Sequence, residues 1–213
     1  MASHSELPIV LLGSTRLLPL VTIERAEDAV PLAQALADAG LPTIEIALRT
    51  PAAPLAIRNI LKHAPNTTLV AGNIMTPHDF ALASQVGARL AVSPIATPAL
   101  LDAAARSDLP FIPGIATPSE LIAVINKGFH VVKFFPAMAF GGPEALRAMY
   151  APFPHARFLP TGGTTIGNIE DWFALPNVIA VGGAWLAPIE DIRNREWNKI
   201  RKRAEAAIAK LPA

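Results

Sequence analysis

Short apolar runs alternate along this chain with alanine-rich stretches of helical spacing. Strand-like runs fall at 18–23, 43–48, 68–72, 89–93, 110–115, 130–135, 157–161 and 178–183. Helical stretches lie between them at 26–39, 52–63, 77–86, 98–105, 119–126, 143–149 and 166–174, and a last helix follows at 196–210. Thr76-Pro77, Thr97-Pro98 and Thr117-Pro118 place a capping hydroxyl before a proline, as helix starts do. Gly40, Gly87 and Gly128 stand where helices stop. Eight strand–helix units in a chain of 213 residues predict an α/β fold of one domain, 1–213, a (β/α)8 barrel. Residues 5–13 read as an extra N-terminal helix closing the barrel bottom. A doubly wound open sheet is the rival arrangement, and the first strand lacks the GxGxxG that its dinucleotide-binding form would carry.

Composition narrows the function. Hydrophobic residues make up 52% and charged residues 16%, which argues for a packed core and against disorder. The net charge of +1 has no basic block behind it, so nucleic acid is not an expected partner. With no cysteine there is no disulfide, thiolate metal site or cysteine nucleophile. His4, His63, His78, His130 and His155 are scattered without a metal-ligand spacing, and no metal or other cofactor is expected. The apolar stretch at 9–12 is too short for a signal peptide or a membrane span, so the reading is a cytoplasmic protein without a membrane partner.

Barrel enzymes place their chemistry at the C-terminal ends of the strands. Of Lys62, Lys127, Lys133, Lys199, Lys202 and Lys210, only Lys133 falls within a predicted strand. Strand alternation puts Val131, Lys133 and Phe135 on one face, the interior of a barrel. Among such neighbours the ammonium form is poorly solvated, and a neutral amine is what attacks a ketone. The strand fits equally well a lysine that snorkels to the mouth or pairs with a carboxylate. In the second strand Glu45, Ala47 and Arg49 share the inner face. An acid deep in the barrel and a guanidinium at its mouth suit proton transfer and carboxylate binding on a 2-keto acid. A purely structural charge network is the alternative. The seventh and eighth strands end in Thr161-Gly162-Gly163 and Gly182-Gly183-Ala184, where glycines let backbone N–H groups approach an anion such as phosphate.

Four stretches, Ile44-Glu45-Ile46-Ala47-Leu48-Arg49-Thr50, Phe111-Ile112-Pro113-Gly114-Ile115-Ala116-Thr117, Val132-Lys133-Phe134-Phe135-Pro136-Ala137 and Phe158-Leu159-Pro160-Thr161-Gly162-Gly163, resemble the KDPG/KHG aldolase family. These are the class I 2-dehydro-3-deoxy-phosphogluconate and 4-hydroxy-2-oxoglutarate aldolases. The resemblance implies retro-aldol cleavage through a Schiff base on Lys133, with Glu45 moving protons. It implies that Arg49 and Asn73 hold the pyruvyl carboxylate, that Pro94 and Phe135 line the pyruvyl floor and that Thr161 meets the substrate hydroxyls. Gly162, Gly163, Gly183 and Ala184 then lie at the distal phosphate. The implied partners are a small 2-keto acid, phosphorylated in this reading, and two further copies of the chain in a homotrimer.

The chain departs from the family pattern at Asn73 and Ala47, where the family usually has threonines. It departs again at Ile95, where the family has glycine, and at Ala184, where it has serine. Lost hydroxyl donors and added bulk predict intact covalent chemistry with weakened selectivity for the phosphorylated substrate. Met138 and Phe140, in the loop after the sixth strand, are apolar where the family often has polar residues. They fit loop packing or a subunit contact as well as a substrate contact. Two other functions remain open from the residues alone: a phosphate-binding barrel isomerase or epimerase with Glu45 as base, and a catalytically weak ligand-binding relative.

Overall fold

The computed structural model describes residues 7–12 and 16–212. The strands are β1 (Leu17–Val21), β2 (Thr43–Ala47), β3 (Thr68–Gly72), β4 (Leu90–Val92), β5 (Phe111–Ile112), β6 (Gly114–Ile115), β7 (Val131–Phe134), β8 (Arg157–Pro160) and β9 (Val181–Gly183). The helices are α1 (Leu7–Leu12), α2 (Ala29–Asp38), α3 (Ala53–His63), α4 (Pro77–Gln85), α5 (Pro98–Ala105), α6 (Pro118–Ile125), α7 (Gly142–Tyr150), α8 (Ile169–Phe173), α9 (Ile189–Arg193) and α10 (Trp197–Ile208). None of the described helices is long and apolar enough to cross a membrane.

The strands pair in parallel as one sheet in the order β5-β4-β3-β2-β1-β9 and a second in the order β6-β7-β8. The two sheets join at both ends. β5 and β6 are one predicted strand interrupted at Pro113, which has no N–H to give to a ladder. Bridges between Phe158 and Val178 and between Thr161 and Gly182 tie β8 to β9. The sheet thereby curls into the predicted (β/α)8 barrel.

Period-two alternation divides the core into two. Leu18, Val70, Leu90, Val92, Ile112, Val131, Leu159 and Ala180 point inward and pack with Leu12 of α1. That contact is what an N-terminal plug at the barrel bottom requires. The predicted residues 5, 6 and 13 of this helix lie outside the described residues. Ile44, Ile46, Leu69, Ala71, Val132, Phe134 and Phe158 point outward into the larger layer between strands and helices. Thr76 and Thr117 close capping boxes with Asp79 and Glu120, which fix where α4 and α6 leave the barrel mouth.

Of the predicted elements that are shorter than expected, two show the physical reason. Asn168 accepts from the Thr165 N–H (2.8 Å), and this local turn competes with helix, so α8 starts at Ile169 rather than residue 166. Residues 178–183 change partners midway: Ile179 N–H donates to Phe158 of β8, and Val181 N–H donates to Arg16 beside β1. Only the second part forms β9.

Candidate active site

Lys133 of β7 and Glu45 of β2 come from opposite walls of the barrel and meet inside it. Lys133 Nζ donates to Glu45 Oε1 at 3.1 Å. Lys133 is 3% exposed and Glu45 0%, and Lys133 is the only buried lysine among the described residues. The second carboxylate oxygen, Glu45 Oε2, is buried without a protein partner. An ion pair taken out of water is costly unless its remaining hydrogen-bonding capacity is met. This one is left half satisfied, with one oxygen free to take a proton. The Phe135 ring centroid lies 5.9 Å from Lys133 Nζ and walls off one side of the amine.

Glycines on the strands beside β2 and β7 make room for the Glu45 side chain and for the loop after β4. Gly72, paired with Ala47, passes directly beneath the Glu45 carboxylate; a Cβ there would collide with Oε1 and lie 2.6 Å from Cγ. Gly114, in register with Lys133, passes against the Pro94 carbonyl, and a Cβ would lie 2.6 Å from Ile95 N. Ser93 holds that loop in place: its buried hydroxyl donates to the Ile74 carbonyl (2.6 Å) and accepts from Ile95 N–H (3.0 Å). The β4 loop is thereby drawn over the mouth, where Pro94, Ile95, Phe135 and Met75 line a cavity of about 340 Å³.

Arg49 lies just past β2, exposed, with no ion-pair partner among the described residues. It lines a second cavity of about 490 Å³ with Thr22, Ala184 and Trp185. Asn73, at the end of β3, takes the left-handed conformation at φ 59°, which asparagine tolerates better than most residues. Thr161 Oγ1 is fully buried without a partner, packed over Gly182, so in this arrangement its hydroxyl is covered from the mouth.

The two glycine ends differ. Gly162 and Gly163 are left-handed, at φ 97° and 77°, as a tight turn requires. Gly183 is extended, at φ −169°, so its conformation does not demand glycine. Close approach does: a Cβ would run into the Trp185 indole nitrogen and lie 2.8 Å from Thr164 Oγ1. Thr164 in turn donates to the Gly182 carbonyl (2.7 Å), so the ends of β8 and β9 form one unit. Ala184 is exposed and opens a short 3-10 turn, Ala184–Leu186.

The fold thus brings Lys133, Glu45 and Phe135 together inside the barrel and sets Arg49, Asn73, Pro94, Gly162, Gly163, Gly183 and Ala184 around its mouth. Sequence alone does not show Gly72, whose role depends on how β2 and β3 pair, and it leaves Met138 open between loop packing, a subunit contact and a substrate contact; in the fold Met138 lies against Gly163. No local sequence signal marks either contact. Among the described residues no cluster of histidine and acidic side chains is arranged to hold a metal.

Known proteins resemble this chain over nearly its whole length. The family described as KDPG and KHG aldolase matches residues 10–203. The 2-dehydro-3-deoxy-phosphogluconate aldolase of Pseudomonas aeruginosa is 39% identical over 201 residues, covering 94% of this chain and 91% of that protein. The KHG/KDPG aldolase of Escherichia coli is 39% identical over 198 residues, 93% of each. Among solved structures, the KDPG aldolase of Legionella pneumophila, captured at low pH with pyruvate as a covalent carbinolamine intermediate, superimposes with a TM-score of 0.91 at 40% identity, covering 94% of this chain and 97% of that one. The Zymomonas mobilis 2-keto-3-deoxy-6-phosphogluconate aldolase with 3-phosphoglycerate gives a TM-score of 0.88 at 32% identity, covering 96% of both chains. With a buried lysine–carboxylate pair at the heart of a parallel barrel and a family match across almost its full length, this chain belongs to the KDPG and KHG aldolase family.

Proposed function

We propose that this protein is a class I aldolase that cleaves 2-dehydro-3-deoxy-6-phosphogluconate or 4-hydroxy-2-oxoglutarate to pyruvate and an aldehyde, glyceraldehyde 3-phosphate or glyoxylate. The observation that carries the proposal is the Lys133–Glu45 pair, dry, 3.1 Å apart and with Oε2 unpartnered. Proton transfer from Lys133 to Glu45 leaves the neutral amine, which attacks the C2 ketone to give a carbinolamine. Loss of water yields the protonated imine, an electron sink. The C3–C4 bond then breaks as Glu45, through a water molecule, takes the C4 hydroxyl proton, and the aldehyde departs. The enamine is protonated at C3, and water hydrolyses the imine to release pyruvate and the lysine.

Arg49 holds the pyruvyl carboxylate, with the Asn73 amide beside it. Phe135 and Pro94 bound the pyruvyl methylene, Thr161 meets the substrate hydroxyls after a shift of its covered side chain, and Gly162, Gly163, Gly183 and Ala184 face the distal end. The proposal carries a single-domain, cytoplasmic homotrimer that needs no cofactor.

Incubation with pyruvate and borohydride tests it. A reduced pyruvyl adduct on the peptide containing Lys133 is expected by mass spectrometry, and it disappears in Lys133→Met. A folded wild-type protein that traps no pyruvate overturns the proposal.

A further inference from the structure

Met138 opens a 3-10 turn, Met138–Phe140, between β7 and α7. The turn is fastened to the end of β8. Ala137 N–H donates to the Thr161 carbonyl (2.8 Å), Met138 N–H to the Gly162 carbonyl (3.0 Å) and Gly142 N–H to the Ala137 carbonyl (3.0 Å). The Met138 side chain runs along the Gly162–Gly163 turn. A Cβ on Gly163 would lie 2.6 Å from Met138 Cβ and 2.7 Å from Cγ, and one on Gly142 would lie 3.3 Å from Sδ. Yet Met138 is 44% exposed and Phe140 48%. The N–H groups of Gly163 and Thr164 donate to no protein acceptor among the described residues, so the turn offers donors to a ligand from beneath an apolar edge.

The charge around the mouth is equally lopsided. The charged side chains lining the two mouth cavities are Arg49, Glu190 and Glu120. Lys133 is committed to Glu45. Arg49 is thus the one cation among the described residues lining these two cavities, and the keto acid carboxylate claims it. A distal phosphate dianion would meet the backbone donors beside a thioether that displaces part of its hydration, and desolvating an anion without a counter-charge is costly. A shorter substrate ending in a single carboxylate asks less of the same turn.

We propose that Met138 is a specificity-determining residue that weights the site toward short, unphosphorylated 2-keto acids. The assignment rests on the aldolase reading above. Specificity is a difference between two substrates, and an apolar group set against a charged one is a way to create it.

The test compares kcat/KM for 4-hydroxy-2-oxoglutarate and for 2-dehydro-3-deoxy-6-phosphogluconate in the wild type, Met138→Ala, Met138→Gln and Met138→Leu. Removing the apolar edge in M138A, or giving it an amide in M138Q, raises the phosphorylated-to-unphosphorylated ratio by about tenfold, while M138L, which keeps it apolar, stays within about twofold. The partly exposed position makes all three variants compatible with the fold. A ratio that rises less than about fivefold in both M138A and M138Q overturns the assignment. Borohydride trapping on the wild type separates the two failures. With pyruvate trapped on Lys133 and an unmoved ratio, this assignment alone falls; with no adduct, the aldolase reading falls and takes it along.

Discussion

Three acidic side chains are buried among the described residues, and they are treated in two ways. Asp28 and Asp191, at the edge of the barrel, each have a cation within 2.9 Å of both carboxylate oxygens. Arg25 Nε and Arg195 Nε lie 2.7 and 2.9 Å from Asp28. Lys199 Nζ and Arg203 Nη2 lie 2.6 and 2.7 Å from Asp191. Those cations keep contact with water. Glu45, in the interior, has one partner, as dry as itself, and a bare second oxygen. A carboxylate that only braces a fold gains by filling every lone pair. One that must exchange protons with a substrate needs a vacant position and a partner that can become neutral, and lysine rather than arginine meets that need. The pattern of pairing, more than burial, separates the catalytic candidate from the structural carboxylates.

The sharpest way to break this contrast is Glu45→Gln. The amide keeps the shape but cannot accept the proton, so kcat is expected to fall by about 10²–10⁴. Trapping of pyruvate on Lys133 slows but still occurs. If kcat stays within about tenfold of wild type, Glu45 is a brace like Asp28, and the proton-transfer role is lost.

How far the sequence revealed this centre depends on which interactions are local. Lys133 and Glu45 were legible because strand alternation alone puts them inside a barrel. The fit of Gly72 beneath Glu45 was not, since it follows from the pairing of Ala47 with Gly72 across two strands. Met138 beside Gly163 was equally hidden, because the path of a loop is set by bonds to another strand end. The capping threonines gave helix starts correctly where a proline followed. The five-residue α9 was missed, being too short to show a period. Both glycine pairs read as anion loops, yet only Gly162–Gly163 has the left-handed backbone; Gly183 is there to clear Trp185 and Thr164.

Gly72→Ala sharpens the comparison without touching either charged group. The added Cβ meets the far part of a side chain rather than backbone, so the strand survives and Glu45 moves away from Lys133. Displacement by about 1 Å costs on the order of 100-fold in kcat/KM. Thermal unfolding and steady-state kinetics measured together check it: kcat/KM falls by that factor while the protein stays folded at the assay temperature. A Tm loss with kcat/KM preserved would show that the pair tolerates displacement and that its geometry is not what matters.

The smallest effect is expected at the other kind of carboxylate. Asp191, in the first turn of α9, binds Lys199 and Arg203 one turn apart on α10 and so joins the two helices. Burial works against its charged form, but the hydrogen bonds and charges of Lys199 and Arg203 prevail and hold its pKa below the ordinary aspartate range. The folded pKa therefore lies below the unfolded one. The stabilisation is complete above about pH 4 and fades as pH falls through the folded value. Asp191→Asn should cost about 2 kcal/mol at neutral pH, since Lys199 and Arg203 return to solvent instead of being stranded. That corresponds to a drop in Tm of about 4–8 °C. The gap between variant and wild type narrows below about pH 4, where the unfolded chain's carboxylate takes up a proton that the folded one, with its lowered pKa, still resists. kcat is unchanged, because this carboxylate has nothing to give the reaction. A D191N protein that keeps its Tm but loses turnover would invert the contrast, placing chemistry at the paired carboxylate and leaving the underpaired one without a reason to be so.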